Sequence, residues 1–260
     1  MEQTRRLHYL IDYLKKERPE YRKLDTPAAL TEQKRMLRAL MNVRPPMPVA
    51  DDILEMQNAY LKEELSAKGV VTMDQLQPAE DGIYLWQGDI TTLACDAIVN
   101  AANSAMLGCF VPCHGCIDNA IHSAAGMQLR RDCQALMEKQ GHEEPTGSAK
   151  ITRAYNLPCK YVLHTVGPII YGPLRDRDRD LLASCYRSCL ALADSNGVKT
   201  IAFCCISTGE FHFPNEEAAK IAVDTVRTYR KETNTDMEVI FNVFKDQDRE
   251  IYERLLGIAG

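Results

Sequence analysis

The segment Leu107-Gly-Cys-Phe-Val-Pro-Cys-His-Gly-Cys-Ile-Asp-Asn-Ala-Ile-His122 places three cysteines and one histidine within eight residues, and an acid, an amide and a second histidine follow. Thiolate and imidazole are ligands that zinc prefers, and ligands this close in sequence can meet on one loop. The segment therefore predicts a metal-binding loop. Its candidate ligands are Cys109, Cys113, His114 and Cys116.

Three polar segments flank this loop. Gly88–Thr91 and Asn100–Asn103 lie upstream, and Ser207–Phe211 lies downstream. Each follows an apolar, β-branched run, so each is predicted to lie at the carboxyl end of a strand. Ligands bind in the crevice at that edge in open α/β sheets. The metal loop is therefore expected to belong to a larger site.

Length and composition limit the class of protein. A chain of 260 residues with 45% hydrophobic residues predicts one large domain, or a domain with an extension. The net charge of −5 gives no reason to expect a nucleic-acid partner. Because no apolar run approaches ~20 residues and the start lacks a signal-peptide pattern, we expect no membrane partner and a cytoplasmic location. The ten cysteines are then expected to be thiols, some of them metal ligands.

The first part of the chain is predicted to be helical. Leu7–Leu14 carries apolar residues at helical spacing, and Thr26-Pro27 predicts the N-cap and first position of a second helix. A third helix is expected over Ile53–Leu65. We expect residues 1–75 to form a helical N-terminal extension and residues 76–260 to form the main domain.

From Ile83 onward, apolar runs and amphipathic stretches alternate. The predicted strands are Ile83–Trp86, Ala97–Val99, Tyr161–Val166, Thr200–Cys205 and Glu238–Val243. The predicted helices are Ile117–Ala125, Leu129–Lys139, Leu181–Ala193, Glu216–Arg230 and Asp248–Leu256. This alternation predicts an α/β sandwich around a largely buried sheet. The charged run Arg175–Asp180 predicts a solvated helix start.

The polar segments are ambiguous when taken singly. The small residues of Ser207–Phe211 allow consecutive backbone N–H groups to face an anion, although most Ser-Thr-Gly sequences are plain turns. Asp89 could accept a hydrogen bond from an exocyclic amine such as that of adenine, or cap a turn. Asn100 and Asn103 could bond ribose hydroxyls, or serve as turn residues. Their combination, in this order, indicates a ligand site.

The combination resembles the macrodomains, the ADP-ribose-binding fold, from about Ile83 to Leu256. The motifs that carry the resemblance are Gly88-Asp-Ile-Thr91, Asn100-Ala-Ala-Asn103, Asp118-Asn-Ala-Ile-His122, Thr146-Gly-Ser-Ala-Lys-Ile-Thr152, Tyr155-Asn-Leu-Pro158, His164-Thr-Val-Gly-Pro168 and Ser207-Thr-Gly-Glu-Phe211. The match is to the branch that hydrolyses ADP-ribose off proteins. Two departures, the helical extension and a Cys109, His114, Cys116 pattern in place of a glycine-rich run, resemble the zinc-containing macrodomains of bacteria and some fungi.

The resemblance implies a three-layer α/β/α macrodomain with a mixed central sheet, preceded by the helical extension. It implies a zinc-dependent hydrolase that removes mono-ADP-ribose from modified, acidic side chains of proteins and releases ADP-ribose. An ADP-ribose-binding module without turnover is the alternative. Zinc at an open position beside Asn103 and Asp118 favours the enzyme, because a module that only binds needs no metal.

The resemblance also assigns roles to residues. Those assigned to ADP-ribose are Asp89, Ile90, Asn103, Cys116, Ile117, Asp118, Asn119, Ser207, Thr208, Gly209, Glu210 and Phe211. The first two would hold the adenine, the segment Ser207–Glu210 would wrap the diphosphate, and Phe211 would pack near the distal ribose. Asn103 and Asp118 are the expected catalytic residues, one fixing a ribose hydroxyl and the other orienting or deprotonating the nucleophile. His122 lies one helical turn after Asp118 and is expected to be a packing residue.

The family pattern favours Cys109, His114 and Cys116 as the zinc ligands. Three protein ligands leave a fourth position open, as in catalytic sites, where zinc lowers the pKa of a bound water. Cys113 as a fourth ligand would close the site and indicate a structural role.

Two other interpretations of the cysteines are weaker. Pro112–Cys116 fits half of the zinc deaminase signature, but the His-x-Glu at His142–Glu144 follows the cysteines instead of preceding them. A redox pair of Cys113 and Cys116 is disfavoured because the adjacent His114 suits a metal better.

Overall fold

The alternating strands and helices fold around one mixed sheet in the computed structural model, which describes residues 2–258. The helices are α1 Gln3–Glu17, α2 Leu30–Val43, α3 Asp51–Lys68, α4 Ile117–Ala125, α5 Met127–Gln140, α6 Asp176–Ser195, α7 Asn215–Thr233 and α8 Asp246–Leu256. The strands are β1 Val71–Thr72, β2 Pro78–Glu80, β3 Ile83–Gln87, β4 Leu93–Ala94, β5 Ala97–Ala102, β6 Ala149–Arg153, β7 Tyr161–Val166, β8 Thr200–Phe203 and β9 Glu238–Val243.

Within the described residues, the main sheet has seven strands in the order β2-β3-β9-β8-β5-β7-β6. The five inner strands are parallel, and the two edge strands β2 and β6 pair antiparallel with their neighbours. Inner strands are covered on both faces, which is why they appear in the sequence as nearly continuous apolar runs. The mixed sheet confirms the predicted fold class.

Helices flank this sheet as the three-layer prediction requires. Helices α6, α7 and α8 contact one another in succession, and α4 and α5 form a second pair whose members contact β5 and β6. Helix α6 begins at Asp176, where the side chain of Arg175 pairs with Asp178 at 3.0 Å. The charged run is therefore a helix start, as predicted.

The three N-terminal helices enclose a core of their own. Its buried residues include Leu10, Ile11, Leu37 and Ile53, and Met127 of α5 belongs to the same cluster. Helices α2 and α3 also pack against α4, the helix that follows the metal loop. The helical extension is thus confirmed, whereas the domain boundary at residue 75 stays a prediction.

The structure corrects several local predictions. Helix α2 begins three residues after Pro27, because the Gln33 side chain donates to the Pro27 carbonyl and holds that segment outside the helix. Strand β8 ends at Phe203, two residues before the predicted end. The antiparallel edge strand β6 was not predicted.

Two expectations concern the chain as a whole. Among residues 2–258, no helix is both long and apolar enough to cross a membrane. All ten cysteines lie within the described residues and are free thiols.

Replacing Ile11 by alanine should lower the free energy of unfolding by ~2–5 kcal/mol, because the side chain is fully buried and its loss leaves a cavity. Chemical denaturation followed by circular dichroism measures this value. If the extension and the sheet fold together through Met127, the variant should unfold in one transition. A separate early transition would mean that the extension is an independent domain.

Candidate active site

The predicted polar segments meet at one edge of the sheet. Strands β3, β5 and β8 run in the same direction, so the segments that follow them emerge side by side. Asp89 follows β3, Asn103 follows β5, and Ser207 lies beyond the end of β8. The segment 103–116 forms an irregular loop from β5 to α4 beside this crevice.

Asp118 lies in the first turn of α4 and is only 5% exposed. Its Oδ1 accepts a 2.8 Å hydrogen bond from Nδ2 of Asn100, and its Oδ2 lies 3.5 Å from Nδ2 of Asn103. Burial raises the pKa of Asp118 to about 6, although the Asn100 hydrogen bond and the charge of Arg130 oppose that shift. The structure thus brings together the two residues that were predicted to be catalytic.

Neither alternative considered for Asn100, a ribose contact or a turn residue, matches its position inside strand β5. Its side chain is fully buried, and Nδ2 contacts Nδ1 of His164 at 3.1 Å as well as Asp118. As a strand residue between two parallel neighbours, Asn100 has its side chain in the interior. Its role is to hold Asp118.

A cluster of buried polar side chains lies next to Asp118 in the protein interior. Nitrogen or sulfur atoms of His122, Cys133 and His164 lie within 4.8 Å of one another. The hydroxyl of Thr152 is 2.9 Å from Nε2 of His164, so hydrogen bonds occupy both nitrogens of this ring. Burial lowers the pKa of His164 to about 4 and depresses that of His122 as well. Both imidazoles are therefore neutral. Nε2 of His122 lies 3.5 Å from Oδ1 of Asp118, and a purely packing role for His122 stays a prediction.

The metal loop brings one ligand atom each of Cys109, His114 and Cys116 within 4.8 Å of one another. Burial raises the pKa of the Cys116 thiol to about 12, so a cation is needed to keep it as a thiolate near neutral pH. In the described chain, Nδ1 of His114 is buried with no hydrogen-bond partner. Two soft sulfurs and an imidazole fit a zinc ion.

Cys113 is directed elsewhere. Its backbone has φ +53°, and its Sγ donates to the carbonyl of Arg35 on α2 at 3.3 Å. The thiol is thus engaged by the extension, and Cys113 is not part of the three-residue cluster.

At the other end of the crevice, Asp89 has the capping role considered for it, and its contact with adenine stays a prediction. Its Oδ1 caps the short helix Ile90–Thr92 by accepting from the backbone N–H of Thr91, and its Oδ2 accepts from Lys68 at 3.0 Å. Burial raises the pKa of Asp89, but these hydrogen bonds outweigh burial and the net shift is downward. The Ile90 side chain is buried in the core, so only its backbone is available to a ligand.

Phe244 is a neighbour of Asp89 that sequence reasoning missed. It follows β9, whose last residue, Val243, accepts a hydrogen bond from the Gly88 N–H, and the residue is 75% exposed. An exposed aromatic ring at this edge can stack on a planar base. Its position directly after a buried strand was the available signal.

The loop Ser207–Phe211 has the conformation expected of an anion-binding turn. Ser207 has φ +66°, and within residues 2–258 the N–H groups of Gly209, Glu210 and Phe211 have no acceptor. Changes of handedness such as that at Ser207 allow successive N–H groups to converge on one anion. The close approach of Gly167 supports the turn, since a Cβ there would lie 1.9 Å from Oγ of Ser207.

This loop also contacts the metal loop. Oε1 of Glu210 lies 3.6 Å from Nε2 of His114 in the metal loop. At the end of the turn, the Phe211 carbonyl accepts a hydrogen bond from the N–H of Ile170, in the segment after β7. The cysteine–histidine cluster therefore lies at the same end of the crevice as the turn, next to Asp118.

Comparison with known proteins agrees with this geometry. The sequence pattern of the Macro domain family matches residues 99–222. A relative from Treponema medium, named protein-ADP-ribose hydrolase, is 54% identical over 99% of this chain and 100% of its own length. A Staphylococcus aureus relative of the same name is 51% identical over 95% of this chain and 94% of its own. The macrodomain of Trypanosoma brucei, solved in complex with ADP-ribose, is 32% identical with a TM-score of 0.67, covering 84% of this chain and 95% of that one.

Fold and site together define an α/β protein with a ligand crevice at the carboxyl edge of a mixed sheet. The chain matches the Macro domain pattern and is 54% identical, over 99% of its length, to a protein-ADP-ribose hydrolase. It therefore belongs to the macrodomain family.

The buried histidines predict a pH dependence of stability. The folded-state pKa of His164 is about 4, below the ordinary value near 6.5. Between these two pH values His164 is protonated in the unfolded chain and neutral in the folded chain. The contribution of His164 to stability should therefore be lost as pH falls from about 6.5 toward 4; His122 adds to this loss, and Asp118, whose pKa is raised to about 6, opposes it. Replacing His164 by glutamine should reduce the slope of unfolding free energy in that window by up to ~1.4 kcal/mol per pH unit.

Urea denaturation at several pH values between 6.5 and 4.5 measures this slope. The same substitution at the exposed His142 is the control and should keep the wild-type slope. Equal slopes for the two variants would show that His164 is protonated in the folded protein.

Proposed function

We propose that this protein hydrolyses the bond between ADP-ribose and a modified, acidic side chain of a protein, releasing ADP-ribose. The observation that carries the proposal is the cluster of Cys109, His114 and Cys116 beside Asn103 and the buried Asp118. A module that only binds ADP-ribose needs neither a buried acid with a raised pKa nor metal donors. The shared name of relatives at 54% and 51% identity supports the same activity.

The crevice provides a contact for each part of ADP-ribose. Asp89 would accept from the exocyclic amine of adenine, exchanging its Lys68 contact, while Phe244 would stack on the base. The unpaired N–H groups of Gly209–Phe211 would bind the diphosphate. The distal ribose, which carries the protein linkage, would then lie at the end where Asn103 and Asp118 meet the metal loop.

Hydrolysis adds one water across the ester that joins the ribose to the side chain. The side-chain N–H of Asn103, now 3.5 Å from Asp118 Oδ2, would orient a ribose hydroxyl. A carboxyl with a pKa of about 6 is mostly ionised at neutral pH and can accept a proton from the attacking water. Asn100 keeps that carboxylate directed at the crevice through its 2.8 Å hydrogen bond.

The donor set of Cys109, His114 and Cys116 would hold a zinc ion with one open position. When bound, zinc supplies Lewis-acid stabilisation of the negative charge that builds up on oxygen during ester cleavage. Cys113 contributes to the loop through its bond to Arg35 rather than as a fourth ligand.

The proposal is tested by incubating a mono-ADP-ribosylated protein with the purified chain, with and without added zinc. Release of free ADP-ribose, followed by mass spectrometry, is the expected result. Retention of the label on a protein that the chain nonetheless binds would mean that it recognises ADP-ribose without turnover.

The metal assignment predicts about one zinc per chain as purified, the stoichiometry of a single cluster. Replacing Cys109 by serine should abolish zinc binding because it removes one of three donors. Replacing Cys113 by serine is the matched control, in the same loop, and should leave the zinc content unchanged. Elemental analysis that found loss of zinc only in the Cys113 variant would refute the ligand set.

The catalytic assignment predicts a separation of turnover from binding. Replacing Asn103 or Asp118 by alanine should reduce kcat at least ~100-fold while changing ADP-ribose affinity little, because their interactions serve the transition state. Replacing Asp89 by alanine should do the reverse and weaken binding by roughly 1–3 kcal/mol. Kinetics and calorimetry on the three variants measure both quantities, and full turnover by the Asp118 variant would contradict the assignment.

A further inference from the structure

The loop 103–116 carries all three metal donors but lies outside the regular elements. An irregular loop keeps its shape only if its backbone polar groups find partners. Several of those partners are side chains, and two of them, Arg38 and Asn42, come from helix α2 of the N-terminal extension.

Arg38 contacts the loop both directly and through a neighbour. Its Nη2 donates to the carbonyl of His114 at 3.1 Å and to Oδ1 of Asn119 at 2.7 Å, and its Nε also donates to that Oδ1. The amide of Asn119 donates in turn to the carbonyl of Val111 at 3.0 Å. One guanidinium thus holds the backbone of the loop at two positions, directly at His114 and through Asn119 at Val111.

Asn42 holds the middle of the loop. Its Oδ1 accepts a 2.9 Å hydrogen bond from the N–H of Cys113, and its Nδ2 donates to Oγ of Ser123 on α4. The side chain is 1% exposed, so water cannot replace these bonds. Because Cys113 has a left-handed φ of +53°, an outside partner is needed to keep the turn in place.

The first ligand is held through the end of the same helix. Arg130 of α5 donates to the carbonyls of Asn42 and Arg44 and, at 3.5 Å, to the carbonyl of Cys109. Its guanidinium also lies 4.2 Å from the centre of the Phe110 ring. The carboxyl end of α2 is therefore one of the fixed points that place Arg130 against the loop.

We infer that helix α2 of the extension positions the metal loop. Arg38 and Asn42 are positioning residues, and they hold the loop so that its three donors stay close enough to bind one metal ion. Those donors are Cys109, His114 and Cys116. The inference rests on the proposed zinc site for its functional meaning. The two side chains bond to backbone groups of the loop and to the first turns of α4. Their loss should therefore loosen this loop specifically, rather than the whole fold.

The test compares Arg38→Met with Arg35→Met. Methionine keeps the apolar stem of Arg38 and removes its donors, and Arg35 has an exposed side chain on the same helix. The first measurement is amide hydrogen exchange over residues 109–119 in chelator-treated protein, and the second is the dissociation constant of zinc by competition with a chelator. Arg38→Met should speed exchange in this segment and weaken zinc binding about tenfold or more, a change of ~1.4 kcal/mol.

Two further variants sharpen the result. Asn42→Ala should produce the same local increase in exchange, and Arg38→Lys, which can reach one of the two acceptors, should give an intermediate effect. Arg35→Met should behave as the wild type. If Arg38→Met matches Arg35→Met in both measurements, or speeds exchange equally across the whole chain, the inference is wrong.

The design separates this inference from the proposed function. If the wild type binds no zinc while Arg38→Met still speeds exchange in residues 109–119, the zinc proposal fails and the positioning role stands. If the wild type binds zinc and Arg38→Met leaves both the affinity and the exchange unchanged, the positioning role fails and the zinc proposal stands.

Discussion

The hydrogen bond between Asn100 and Asp118 is the constraint on which the site depends. It joins Asn100, near the carboxyl end of strand β5, to the first turn of α4 at 2.8 Å and so closes the loop that lies between them. Both side chains are buried, where a lost bond leaves an unsatisfied polar group. The parallel pairing of β5 with β7 and β8 fixes Asn100, and the loop, the helix and the crevice follow from its position.

Burial of polar groups in this region costs stability and supplies reactivity. Asp118, His122 and His164 are all removed from water, which raises the pKa of the acid and lowers that of both imidazoles. The two imidazoles beside Asp118 are neutral, so its partial charge compensation comes from the Asn100 hydrogen bond and from the charge of Arg130. Such an arrangement is typical of a functional site, where titratable groups are kept away from their ordinary pKa values.

The sequence predicted the inner strands, the helices and the position of Asp89, Asn103 and Ser207 at one edge of the sheet. These features can be predicted because buried strands and amphipathic helices leave apolar patterns within short stretches of sequence. It did not predict the role of Asn100, since an asparagine at a strand end gives no sign of which face it occupies. Nor did it predict Phe244, or the contacts of Arg38 and Asn42 to the loop. Those contacts join residues far apart in the chain, and single-sequence patterns carry no information about them.

Gly167 has a consequence for the engineering of this protein. A Cβ at this position would lie 1.9 Å from Oγ of Ser207 and 2.9 Å from Cγ2 of Ile206, so even alanine would require these side chains to move. Residue 167 is therefore a position at which the shape of the turn could be changed without replacing Asn103 or Asp118.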